Sequence, residues 1–222
     1  MIKVLNEGHV QLIDHMGSDL AISRNARVSY AAEWRAGEAD TKLINYLYNA
    51  GHNTPFEAVT FTFDVKAPIF VLRQWHRHRT QSYNELSARY KELPEEFFIP
   101  ELDTITFQHP DNKQMRTDEQ NPNAQQIQDL IVGSNKSSFI IYHELIKLGC
   151  PRELARSILP VGTYSHMFCT LNLNNLFKFL HERCHYHAQY EIQVYANAML
   201  ELVKPIVPVA MKCFEDNFDF KR

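Results

Sequence analysis

Between Phe56 and Val65 the chain reads FEAVTFTFDV, and this stretch limits the folds open to it. Strict alternation puts Phe56, Ala58, Thr60 and Thr62 on one side and Val59, Phe61, Phe63 and Val65 on the other. That pattern predicts a strand with at least one strongly apolar face. Such a face must be covered by another layer before the strand is stable. Pro68 suits the first helical position, where its missing N–H costs nothing, so a helix is expected from about Pro68 through Trp75. Strand and helix then deliver a polar segment, Arg77–Tyr90, reading RHRTQSYNELSARY, in which only Leu86 and Ala88 are aliphatic. Hydrogen-bonding and charged groups brought to one place by a rigid scaffold are what ligand sites are made of.

The flanking chain mixes short strands and helices. Ile2–Asn6 and Val10–Ile13 read as strands. Asp19–Tyr30 reads as a helix capped by Ser18. Ala39–Ala50 reads as a second helix with a stripe of Leu43, Ile44, Tyr46 and Leu47, and Gly51 suits its C-terminal stop. His52–Pro55 is turn chemistry. Glu95–Pro100 reads as a short aromatic strand. Glu101–Asn123 is polar and aperiodic, and is expected to be a long mobile loop. A long helix is expected over Gln125–Leu148 and a short one over Arg152–Leu159. Val161–Leu173 reads as a strand with Tyr164, His166, Phe168 and Thr170 on one face. Helices follow over Asn174–Arg183 and Gln189–Phe214, the second interrupted by Pro205 and Pro208. The order lacks βαβ regularity and shows no internal repeat, so the expected class is α+β in a single domain spanning 1–222.

Bulk properties narrow the function. A net charge of −3 and a pI near 6.4 argue against a general nucleic-acid binder. No apolar run approaches a membrane span, and Met1–Val10 lacks the apolar core of a signal peptide. Cys150, Cys169, Cys184 and Cys213 show no CxxC spacing, as expected of free thiols in a cytoplasmic protein.

Within the polar segment, Arg73 and Arg77 would share a helix face, whereas Arg77 and Arg79 would not. Either the helix stops within the Arg-His-Arg triplet, or the two arginines serve different ligands. A guanidinium fork suits phosphates and the imide edge of a pyrimidine. The bland alternative is a solvated basic turn with internal ion pairs to Glu85 and Glu92. His181, Cys184, His185 and His187 invite a zinc assignment, but they fan around a helix instead of converging, and no metal ligand set is assigned.

The spacing of the triplet to Ser87, with Asn84-Glu85-Leu86-Ser87 and Arg89-Tyr90 around it, resembles the signature of the flavin-dependent thymidylate synthases. The resemblance extends through Gly51-His52-Asn53-Thr54-Pro55-Phe56-Glu57, Arg73-Gln74-Trp75, Pro151-Arg152-Glu153-Leu154-Ala155-Arg156 with Leu159-Pro160, and His187-Ala188-Gln189-Tyr190-Glu191-Ile192. It implies reductive methylation of dUMP to dTMP, with methylenetetrahydrofolate as one-carbon donor and FAD reduced by NADPH. It also implies a small antiparallel sheet flanked by long helices, and a homotetramer with its sites at subunit interfaces. By position, Gln74, Trp75, His76, Arg77, Glu85, Leu86, Ser87, Ala88, Arg89, Arg156 and Arg183 are implied for dUMP. His52, Thr54, Arg77, His78, Arg79, Glu85, Asn172, Leu173, Asn174, Lys178 and His187 are implied for FAD. Asn174 and Lys178 depart from the residues some members carry there. No GxGxxG occurs, so FAD has to be held without a Rossmann turn.

Methylation at C5 of uracil requires electron density at C5. No cysteine lies in a matched motif, and Ser87 has no adjacent base to activate it. Ser87 is therefore expected on the dUMP phosphate. The remaining route polarises the pyrimidine, with a guanidinium stabilising the N3-deprotonated form. By resemblance that guanidinium is Arg183.

Overall fold

The computed structural model describes residues 1–29 and 40–219. Strand β1 (Ile2–Val4) turns back into β2 (Gly8–Met16). The tightness of that turn leaves no room beside Gly8, where an added Cβ would lie 2.1 Å from the Tyr195 hydroxyl and 2.7 Å from the Val4 carbonyl oxygen. Helix α1 (Asp19–Val28) starts at Ser18 as expected, although the Ser18 side chain makes no capping bond. Helix α2 (Thr41–Asn49) is capped by Asp40, whose carboxylate accepts from Leu43 N–H. The expected helix limits at Tyr30 and Ala39 lie outside the described residues. Gly51, at φ +69°, ends α2. The N–H groups of Gly51 and His52 bond back to the carbonyls of Tyr48 and Leu47, which satisfies the end of the helix. Ile44 and Leu47 are buried, whereas Tyr46 is exposed and packs edge-on against His52.

The strand expected from Phe56 begins later. Thr54–Ala58 is a 3₁₀ turn, and β3 runs Thr60–Pro68. Pro at the second position of a TPFE segment favours the helical turn, so the alternation from Phe56 to Ala58 is not a pleat. Pro68 closes β3 and caps α3 (Ile69–Trp75). Strand β4 (Ser82–Glu85) follows inside the polar segment. Glu95–Pro100 is not a strand; Phe97 makes one isolated bridge to Thr163. The expected mobile loop is instead a hairpin of β5 (Thr106–Gln108) and β6 (Arg116–Gln120). Helix α4 (Ala124–Lys147), the four-residue α5 (Arg152–Ala155), β7 (Tyr164–Asn172), α6 (Leu173–Arg183), α7 (Tyr190–Val203) and α8 (Pro208–Asn217) complete the chain. Proline separates α7 from α8, as expected.

Five strands make one antiparallel sheet in the order β1-β2-β3-β7-β4. Its register aligns Val10, Val65 and Met167 in one row and Leu12, Phe63 and Cys169 in the next. With Phe61 and Leu171, this face packs on α6, α7 and α8 to form the main core. Trp75 lies in that core at 0% exposure, stacked on Phe179 at 4.7 Å. A smaller cluster of Phe97, Phe139, Tyr142 and Ala155 holds α4 against α5. The ends of the chain meet where Asp19 accepts from Val209 and Ala210 N–H at 2.8 and 3.0 Å, capping α8 from α1. No helix among the described residues is long and apolar enough to cross a membrane.

Candidate active site

Helix α3 ends before the Arg-His-Arg triplet, with His76 as its C-cap. The turn that follows is held by side chains from four directions. The Tyr83 hydroxyl donates to the His78 carbonyl at 2.8 Å. Asn175 Nδ2 donates to the Thr80 carbonyl at 3.0 Å. Gln81 Oε1 accepts from Trp75 Nε1 and from Cys169 Sγ, each at 3.1 Å. Arg183 Nε donates to His78 Nε2 at 2.9 Å. The turn therefore projects Arg77 and Arg79 as exposed cations, and neither guanidinium has a partner among the described residues. The ion pairs of the bland alternative do not form. Glu92 pairs with Arg152 at 3.7 Å, and Glu85 accepts from Ser165 Oγ at 2.6 Å.

The Arg183–His78 bond has a definite electrical requirement. His78 accepts through Nε2, so it is neutral and carries its proton on Nδ1. Burial, reinforced by the Arg183 cation, lowers its pKa from 6.5 to about 4. Burial also lowers the pKa of Arg183, with Glu182 opposing. With Nε engaged, both terminal amino groups of the Arg183 fork are without a partner among the described residues. The sign follows from the depressed folded value: the pair contributes fully above about pH 6.5 and is lost as pH falls towards about 4. The thermal-stability difference between the protein and a His78→Asn variant should hold steady above pH 6.5 and shrink across that window. A difference constant from pH 7 to pH 4 would show that His78 is not the acceptor.

Sequence reasoning did not single out Tyr83 or Gln81. Tyr83 sits half-buried on β4 with its hydroxyl also 3.1 Å from the Trp75 carbonyl. Burial pushes its pKa far up, so it stays a donor. Tyr83→Phe should cost about 1–3 kcal/mol, because it leaves the half-buried His78 carbonyl without its donor. Urea denaturation measures this, and a change under about 0.5 kcal/mol would remove Tyr83 from the account.

The residues singled out from sequence fall into groups. Around the triplet lie Gln74, His76, Arg77, His78, Arg79 and Arg183. Gln74 bonds Gln189, and both Gln74 Oε1 and His76 Nε2 are buried without a hydrogen-bond partner. A cleft of about 430 Å³ opens beside this group, lined among others by Asn53, His78, Asn174, Phe177, Lys178 and His181. His52 and Thr54 flank Asn53 and are exposed. Asn172 caps α6 by accepting from Asn175 N–H at 2.9 Å, and Asn174 donates to Glu57 at 3.0 Å. A second group comprises Ser87, Arg89 and Arg156. The Ser87–Tyr90 turn packs near α5, where Arg89 lies 3.6 Å from Glu153, and Arg156 follows exposed. Leu86 N–H donates to the His166 carbonyl at 2.7 Å, which fixes the approach to this turn. Trp75, Leu173 and Ala88 are buried, and the first two pack in the core. His187 stands apart from the residues around the triplet. It lines a separate cleft of about 490 Å³ between the β5–β6 hairpin and the α6–α7 connection. Nor do His181, Cys184, His185 and His187 gather into a grouping of metal ligands.

Comparison with known proteins places the chain among relatives. The family described as Thy1, thymidylate synthase complementing protein, matches residues 11–209. A flavin-dependent thymidylate synthase of Ehrlichia ruminantium (strain Gardel) is 44% identical over 213 residues, covering 96% of this chain and 72% of that one. The protein of the same description from Thermosipho africanus (strain TCF52B) is 42% identical over 212 residues, covering 96% and 92%. A solved structure of the UMP/dUMP methylase PolB from Streptomyces cacaoi, bound with 5-Br dUMP, matches with a TM-score of 0.87 at 34% identity, covering 97% of both chains.

Proposed function

This chain belongs to the flavin-dependent thymidylate synthase family, and on that premise we propose that it converts dUMP to dTMP by reductive methylation. Methylenetetrahydrofolate is the one-carbon donor and NADPH the reductant of a bound FAD. The observation that carries the proposal is the Arg183 fork, fixed through Nε by a neutral histidine and open at both terminal nitrogens. A guanidinium so held offers a planar pair of donors to the imide edge of a uracil.

The residues present fit FAD. The cleft beside the triplet carries His78, Asn174 and the exposed Lys178, and Arg77 and Arg79 stand unpaired next to it. This is a donor set suited to a dinucleotide's diphosphate. Bound and reduced, FAD supplies the hydride equivalent that turns the incoming methylene into a methyl group. The chain's own residues do the rest. Arg183 stabilises the N3-deprotonated form of the pyrimidine, whose N3 proton is given up to solvent, and that form has raised electron density at C5. Gln74 Oε1 and His76 Nε2, buried and unpaired, offer an acceptor and a second polar contact to the base or sugar. Ser87, Arg89 and Arg156 take the phosphate.

The triplet group and the Ser87–Arg156 group lie on separate parts of one chain, which supports sites completed between subunits of a homotetramer. Helix α4 supports it too: Leu130 and Ile141, three turns apart on one face, are 67% and 53% exposed. The whole of 1–222 is taken as one catalytic domain acting in the cytoplasm, its four cysteines free.

The test is tritium release from C5-labelled dUMP by the purified yellow protein. Release should require FAD, NADPH and methylenetetrahydrofolate together, and dTMP should accumulate in step. No release with all three present would overturn the proposal. A parallel assay with UMP separates a dUMP enzyme from the broader UMP/dUMP activity that the PolB description carries.

A further inference from the structure

The sheet has a second face, away from the core, and one place on it gathers ligand atoms. His9 on β2, Lys66 on β3 and His166 on β7 lie opposite one another in the strand register. Asp64 stands one pleat along β3 on the same side. Both imidazoles address a single oxygen, with His9 Nε2 at 3.4 Å from Asp64 Oδ1 and His166 Nε2 also in contact with it. One ligand atom from each of the three residues lies within 4.8 Å of the other two.

The cation of that row does not compete. Lys66 Nζ is drawn away to Glu96 at 2.9 Å and lies over the Tyr164 ring. Asp64 Oδ2 has no partner among the described residues. Ligand atoms bound to one zinc at about 2.0–2.1 Å with tetrahedral angles stand about 3.3 Å apart; the His9–Asp64 separation already matches, and the exposed His166 ring, now in direct contact with Asp64, has to swing outward to admit the ion. The three residues come from three hydrogen-bonded strands, so their backbones are fixed before any ion arrives. Side-chain exposures of 21% for His9, 17% for Asp64 and 46% for His166 leave the outer side open to water.

We infer that His9, Asp64 and His166 form a site for a divalent transition ion of the zinc class, with three protein ligands and an open outer position. Two imidazoles and one carboxylate suit zinc, cobalt, nickel or ferrous iron. They do not suit calcium or magnesium, which take oxygen ligands. The site is independent of the function proposed above, but it touches the same strand. The backbone carbonyl of His166 holds Leu86 N–H, and the preceding Ser165 holds Glu85. A bound ion would tie β2, β3 and β7 together directly behind the segment that carries Ser87.

The test uses the FAD-loaded enzyme, stripped with chelator and titrated with cobalt(II) chloride, read by the visible d–d bands and checked by displacement with zinc. One saturable equivalent per chain is expected. His166→Ala and Asp64→Asn should weaken it by about 100-fold or more, while His185→Ala leaves it intact. His166 is exposed, so its replacement should not unfold the protein. Absence of a saturable equivalent would overturn the inference. So would binding that survives both substitutions, or binding that is lost with His185→Ala.

Discussion

Arg183→Ala is expected to lower kcat for dTMP formation by about 10²–10³-fold, the range for losing a fixed donor to developing charge. The loss should fall equally on kcat and kcat/KM, since the interaction strengthens as charge builds on the ring. FAD retention should be little changed, because the triplet turn keeps its ties to Tyr83, Gln81 and Asn175. Arg183→Lys restores charge without the planar fork and should recover only part of the rate. Measured single-turnover rates within about tenfold of the parent would sink the assignment of Arg183. His78 enters the same test: it is a positioning residue, and its loss should let the guanidinium rotate while leaving its charge in place.

The second large effect lies in the hairpin. Arg116 Nη2 contacts both carboxylate oxygens of Glu191 at 2.8 Å, and Glu191 is only 2% exposed. Gln189 Nε2 donates to the same carboxylate at 2.7 Å, and Arg116 Nη1 donates to the Thr104 carbonyl at 3.0 Å. Arg116→Ala strands a buried charge and should cost about 3 kcal/mol, the low end of the range because Arg116 keeps part of its surface in water. Glu191→Gln, which leaves no stranded anion, should cost less. Urea denaturation gives the number, and limited proteolysis within Glu101–Asn123 shows whether the hairpin opens. Equal stability of parent and Arg116→Ala would mean that the pair contributes nothing.

This pair also explains why the hairpin escaped sequence reasoning. Its strands, TFQ and RTDEQ, carry no apolar alternation, and the contact that fixes them joins residues far apart in the chain. The same holds for β4: SYNE is polar and mostly exposed, and it becomes a strand by adding to the edge of β7. Features set locally were legible. Gly51 and Gly149 stop their helices with positive φ, Pro68 marks the strand-to-helix junction, and Pro205 with Pro208 divides the last helices. Within the site, the types and spacing of the triplet pointed to anions, and the resemblance pointed to Arg183. What one-dimensional spacing did not contain was the Arg183–His78 bond, because α6 meets the triplet turn only in the folded chain, through Trp75 stacked on Phe179, His78 edge-on to Phe179 and the Asn175–Thr80 bond. The row His9–Lys66–His166 was hidden for the same reason, since it exists only once three strands are in register.

The capping of α8 by Asp19 bears on when this chain can fold during its synthesis. A ribosome delivers Asp19 and the β1–β3 meander well before β7, the far-side neighbour of β3, and before the N–H groups of Val209 and Ala210. Until then the nascent chain holds Phe61, Phe63 and Val65 on an uncovered sheet face and a carboxylate without its donors. Its pairings are long in sequence, and such pairings form slowly. Synthesis through α8, and protection of the exposed phenylalanine face until then, therefore come ahead of the native state.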